Sequence, residues 1–164
     1  MTANVTDMTE PTTPAPVRLR GFATLNIWAD DVAEAAGWYA RVLGFPAYFT
    51  RRAPDDRLVY AEFRIGDRQA ELGVIDRRYA PPWESREPGG AVMHWHVDDL
   101  PGSLDRLLAH GATAHRPITE HGEGFVTASV IDPFGNVLGV MYNRHYLDML
   151  TDTVPPATAG SPAG

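Results

Sequence analysis

One order of residue patterns runs twice between Leu19 and Tyr142, and it limits the fold more than any other feature of the chain. "FATLNIWADD" alternates apolar and polar positions and then meets an aspartate pair; "VMHWHVDD" does the same further on. Alternation with period two is the mark of a half-buried strand. After each aspartate pair the spacing changes to that of a helix. Val32, Ala36, Tyr39 and Leu43 share one helical face, and Leu100, Leu104, Leu107 and Leu108 do so in the second copy. Asp30 or Asp31 and Asp98 or Asp99 supply N-caps, and Pro101 suits a first turn whose N–H has no partner. Gly44 and Gly111 stand where the two helices should end. Three extended segments follow each helix: "AYFTRR", "LVYAEFRI" and "QAELGVI", then "TAHRPI", "GFVTASVI" and "VLGVMY". Each half therefore reads strand, helix, strand, strand, strand: an α+β fold of two tandem βαβββ modules.

The repeat predicts a first module over 18–79 and a second over 91–150, joined by a linker over 80–90 whose Pro and Gly punctuate a boundary. "HYLDML" predicts a short final helix that packs Tyr146, Leu147 and Leu150 on the body. Residues 1–17 and 151–164 are Pro-, Thr- and Ala-rich with little to bury, and predict disordered tails. The first of these is acidic and lacks an apolar run, which argues against a secretory signal. No stretch approaches the roughly 20 apolar residues of a membrane span. A net charge of -7 leaves no basic surplus for phosphates, which argues against nucleic acid and anionic membranes as partners. There are no cysteines, so disulfides, thiolate nucleophiles and zinc–thiolate sites are excluded, and a cytoplasmic location is expected. No phosphate-binding Gly loop or Ser-His-Asp order stands out.

The chemistry-bearing residues cluster in the second module's first strand. His94 and His96 point to one face, because side chains alternate along a strand. Two imidazoles on one face suit a metal, or the polar lining of a cleft, or simple structural hydrogen bonding. Trp38, Tyr39 and Trp95 are expected in the core, whereas Trp28, at a strand end, and Trp83, in the linker, are placed to cover an apolar ligand. Tyr60, Glu62 and Arg64 alternate on one strand, and the pattern leaves their face open.

"WYARVLGFPAYF" and "DPFGNVLGVMYN" resemble the vicinal oxygen chelate superfamily, which includes glyoxalase I, bleomycin-resistance proteins and extradiol dioxygenases. The first resembles the family's aromatic-Tyr helix end, the second its Asp-Pro-x-Gly-Asn turn into the last strand. The resemblance covers most of 19–143 and implies a curved sheet around a cavity, usually in a homodimer. It also implies where a metal would be held. The family's ligand positions fall on Phe22, Glu71, Val92 and Gly139, of which only Glu71 can coordinate a cation. A transition metal wants three or four protein donors, so no metal or other cofactor is expected, though a displaced site of Glu71, His94 and His96 stays open.

The expected ligand-binding residues are Thr24, Asn26, Glu71, His94, His96, Trp28 and Trp83. Thr24 and Asn26 enter as the first-module counterparts of the two histidines. Glu71 inside a cavity suits either a general base or a static ion pair with Arg64 or a neighbouring histidine. The leading expectation is a homodimeric small-molecule-binding protein that sequesters a toxic or natural-product ligand without the family metal. The alternative is a lyase or isomerase with Glu71 as catalytic base and His96 as catalytic acid or oxyanion donor.

Overall fold

The computed structural model describes residues 22–151; both expected tails lie largely or wholly outside them. The elements run β1 (Thr24–Ala29), α1 (Val32–Leu43), β2 (Phe49–Arg52), β3 (Leu58–Ile65), β4 (Ala70–Asp76), β5 (His94–His96), α2 (Leu100–Ala109), β6 (Thr113–Gly122), β7 (Phe125–Ile131), β8 (Val137–Asn143) and α3 (Arg144–Thr151). They form two four-stranded mixed sheets of matching order, β1-β4-β3-β2 and β5-β8-β7-β6. In each, the first strand pairs in parallel with the last, and the other pairings are antiparallel. The sheets are not closed into a barrel. The predicted α+β repeat is thus the observed one, down to the helix boundaries.

Local chemistry explains those boundaries. Asp31 accepts the Glu34 N–H and Asp99 the Gly102 N–H, so each aspartate pair caps a helix with its second member. Gly44 ends α1 in the left-handed region, and Gly111 takes the same region just beyond α2, where a side chain would be strained. β5 is shorter than its alternating sequence implies, though the Val97 N–H still donates to Met141.

One core joins the modules. Val32, Ala35, Trp38 and Tyr39 of α1 meet Ala61 and Phe63 of β3, Leu72 and Val74 of β4, and the apolar faces of α2, β7 and β8. Each fully buried side chain of Phe63's size contributes roughly 1.5–3 kcal/mol. A polar latch reinforces the join. Buried Asp132 accepts the Phe134 and Asn136 N–H groups on Oδ1, and the Tyr39 hydroxyl (2.7 Å) and Asn136 side chain on Oδ2. Asn136 in turn clamps the Trp28 backbone through both ends of its amide. Arg77 donates to the carbonyls of Trp28 and Phe134, and Trp38 Nε1 donates to the His110 carbonyl. The "DPFGN" turn therefore orients one module on the other and leaves the opposite faces of both sheets uncovered by the helices.

Candidate functional site

Register decides which residues those free faces carry. Val59, Ala61 and Phe63 are buried against the helix, so Tyr60, Glu62 and Arg64 stand on the opposite face of β3. There they meet β4 and β1, with Glu62 beside Gly73 and Asn26, and Arg64 beside Glu71 and Thr24. Thr24 Oγ1 donates to Glu71 Oε2 at 3.0 Å. The Tyr48 hydroxyl lies between Glu62 and Glu71, 3.1 Å from Glu71 Oε1, and Tyr60 also donates to Glu62. The Arg64 guanidinium sits 4.2 Å from the Tyr48 ring centroid and 3.9 Å from Glu71 Oε1. Two carboxylates thus share the hydroxyls of two tyrosines. The hydrogen bond to Glu62, with partial desolvation, pushes the Tyr48 hydroxyl up to about 12. Burial and the same carboxylate raise Tyr60 as well.

The second sheet presents histidines instead. The His94 ring sits against Gly139, where a Cβ would stand 2.6 Å from its Cδ2. His96 is held differently. Its Nδ1 accepts the Asn143 N–H at 3.1 Å, so the ring proton resides on Nε2, which is buried 3.5 Å from Asp98 Oδ1. The ring stacks on Tyr146, with centroids 5.0 Å apart, and tilts against Tyr142. His115 and His121 bond to Ser129 and Thr127 on the neighbouring strand. Among the histidines facing this sheet, His94 alone has no hydrogen-bond partner among the described residues.

The ends of the two faces border a cavity of about 460 Å³ between the modules, which the core-side residues Leu25, Leu72 and Trp95 also line. Thr24 and Glu71 line it from the first module; His94, His96, Met141 and Tyr146 line it from the second. Four sequence-predicted residues thus come together. Three do not. Asn26 lies further along β1, its Oδ1 over Gly73, where a Cβ would approach to 2.4 Å. Trp28, at the far end of β1, serves the latch through its backbone. Trp83 is 82% exposed in the linker and borders no part of this cavity. Sequence reasoning missed Tyr48, whose partners come from other strands, and Tyr146, read only as a packing residue.

The donor set does not fit the family's metal. Phe22, Val92 and Gly139 offer no ligand atom. His96 cannot turn a lone pair on Nε2 to a metal without moving its proton to Nδ1, against the Asn143 N–H. Glu71 and His94 remain, short of the usual three donors. Among the described residues no three His, Cys, Asp or Glu side chains are grouped to hold an ion. Nor is any helix among them long and apolar enough to cross a membrane.

A cavity between paired βαβββ modules defines the class of protein. Consistent with that, residues 21–140 match the Glyoxalase/Bleomycin resistance protein/Dioxygenase superfamily, and the chain belongs to it. Solved structures share the fold at low identity. A glyoxalase-related enzyme from Fulvimarina pelagi is 19% identical with a TM-score of 0.59, the match covering 77% of this chain and 90% of that one. A lactoylglutathione lyase from Agrobacterium tumefaciens is 17% identical, TM-score 0.57, covering 79% and 98%. TioX from Micromonospora sp. ML1 is 19% identical, TM-score 0.56, covering 75% and 98%. No curated protein sequence matches the chain.

Proposed function

We propose that this chain is a small-molecule-binding protein that holds its ligand in the inter-module cavity, without the family-type metal. One observation carries the reading: a carboxylate from one module, Glu71, and a free imidazole from the other, His94, converge on a single pocket with mostly apolar walls. Such a pocket suits a flat, largely apolar compound bearing a hydroxyl or amine that Glu71 can accept from. Sequestration of a toxic or natural-product ligand is the role this implies. The lyase or isomerase reading has less support, because its acid, His96, has Nδ1 bonded to the Asn143 N–H and Nε2 buried beside Asp98. A homodimer is part of the proposal: β6 is exposed along its length at a sheet edge, with its own Ile118 and the adjoining Phe125 of β7 exposed.

The test is a thermal-shift screen of polycyclic and glycopeptide natural products, followed by titration of wild type, Glu71→Gln and His94→Ala. Removing one hydrogen-bonding partner of a bound ligand should cut affinity about five- to a hundred-fold. Unchanged affinity in both folded variants refutes the assignment. Recovery of a chemically altered compound, with turnover lost in Glu71→Gln, would favour the enzyme.

A further inference from the structure

We infer that α3 is a lid on the inter-module cavity, latched by the hydrogen bond from Tyr146 to Asp67. The inference rests on that cavity being the ligand site and concerns how a ligand enters it. α3 contains no fully buried residue, yet its Tyr146 lines the cavity. Its fixed end is the strand it continues. Asn143, the last residue of β8, donates its N–H to His96 Nδ1 and accepts the Tyr146 N–H at 3.4 Å. The rest of α3 reaches across to the other module by two polar contacts. The Tyr146 hydroxyl donates to Asp67 Oδ2 at 2.8 Å, and Arg68 Nη2 donates to the Met149 carbonyl at 3.4 Å. Asp67 and Arg68 belong to the turn between β3 and β4, and both border the cavity. The Tyr146 ring meanwhile stacks on the His96 ring, and both residues line the cavity.

These contacts differ in strength in a way that makes a hinge. The Asn143–His96 bond is part-buried and fixed by the sheet, whereas the Tyr146–Asp67 and Arg68–Met149 contacts are solvent-exposed and weak. Rotation of the backbone at Arg144 would break the two exposed contacts and the long Tyr146–Asn143 bond, and lift Tyr146 off His96. The core would be untouched, because no α3 residue belongs to it. The cavity then opens on the side where the modules face each other.

Anilinonaphthalenesulfonate serves as the probe, its binding followed in a stopped-flow instrument by the rise in its own fluorescence. Ala70→Trp, which puts an indole in place of a methyl group at a residue lining the cavity, should abolish the signal. Tyr146→Phe keeps the ring on His96 and removes the latch; Asp67→Ala removes it from the other side. Each variant should raise both the entry and the exit rate about five- to ten-fold, with little change in Kd, because a latch closes over bound and empty cavity alike. Amide exchange across Arg144–Thr151 should quicken by a similar factor while β8 stays protected. The chain has no cysteine, so Asp67→Cys with Tyr146→Cys can be bridged cleanly by a bismaleimide, and the bridged protein should neither take up nor release the probe. Unchanged rates, or uptake by the bridged protein, would overturn the lid and leave the cavity as ligand site. A rise in exit rate alone would also overturn it, making Tyr146 a ligand contact. Wild type that binds no probe, or binding that survives Ala70→Trp, would overturn the site assignment and the lid with it.

Discussion

The inter-module latch can be tested at its single most buried bond. Tyr39 is 0% exposed, Asp132 is 3% exposed, and their oxygens stand 2.7 Å apart. Tyr39→Phe keeps the ring against Trp38 and Phe63 and removes only the hydroxyl. A hydrogen bond to a charged acceptor contributes about 1.5–3 kcal/mol. Asp132 retains three other donors after the change, which places the expected loss at the low end, about 1.5 kcal/mol. For a folded body of this size that lowers Tm by roughly 3–6 °C. The urea midpoint should fall with no change in slope, because the surface exposed on unfolding is the same. Asp132→Asn should cost more, about 3 kcal/mol, because an amide nitrogen must then face donors that cannot all turn away. Adding Tyr39→Phe to Asp132→Asn should cost little further, since the bond is already gone. The pH dependence has a definite sign. Burial first, and Asp132 second, raise the folded Tyr39 pKa well above 10.0. The unfolded chain then ionises before the folded one does. The stability contributed by Tyr39 is present below about pH 10 and lost as pH rises beyond it. Wild type's advantage over Tyr39→Phe should therefore shrink from pH 10 upward. Equal urea midpoints at pH 7, or a gap that persists unchanged to pH 11, would refute the latch.

Gly139→Ala places a methyl group 2.6 Å from the His94 ring and 2.8 Å from the Met93 carbonyl, so it should destabilise by about 1–3 kcal/mol and weaken ligand binding by displacing His94; equilibrium unfolding and titration check this. Asp76 is buried; burial alone would raise its pKa, but the Arg78 N–H, the Arg78 guanidinium and Arg57 outweigh burial and lower it. Its stabilisation is therefore complete above the ordinary carboxylate range and lost as pH falls through the depressed folded value, so Asp76→Asn should be markedly less stable at pH 7 and approach wild type in acid, read by thermal melts across pH. Light scattering at micromolar concentration should give a homodimer, and a monomer throughout would remove that part of the proposal.

Much of this was legible because it depends on short-range chemistry. Aspartate pairs before apolar helical stripes and glycines after them mark α1 and α2 from sequence alone. Strand parity likewise places Thr24 with Asn26, and His94 with His96, on one face. Parity does not say how far along the strand a cavity sits. At about 3.3 Å per residue, Asn26 and Trp28 stand roughly 7 and 13 Å beyond Thr24, and the cavity lies at the Thr24 end. Nor does parity say what a ring nitrogen meets. His94 and His96 look equivalent in sequence, but only His96 lies beside the Asn143 N–H, a neighbour fixed by the pairing of β5 with β8. That pairing also explains why the cavity has two unlike walls. Thr24 faces Glu71 in one register pair, and His94 faces Gly139 in the pair equivalent to it. The first module puts its functional group on the last strand and a small residue on the first; the second module reverses the choice. Gly139 is what lets the imidazole approach the sheet closely, and Thr24 is what lets Glu71 be held from the opposite side. A symmetric repeat has thereby produced a carboxylate on one wall and an imidazole on the other; in the proposed binding role that asymmetry would orient a ligand in one sense across the junction.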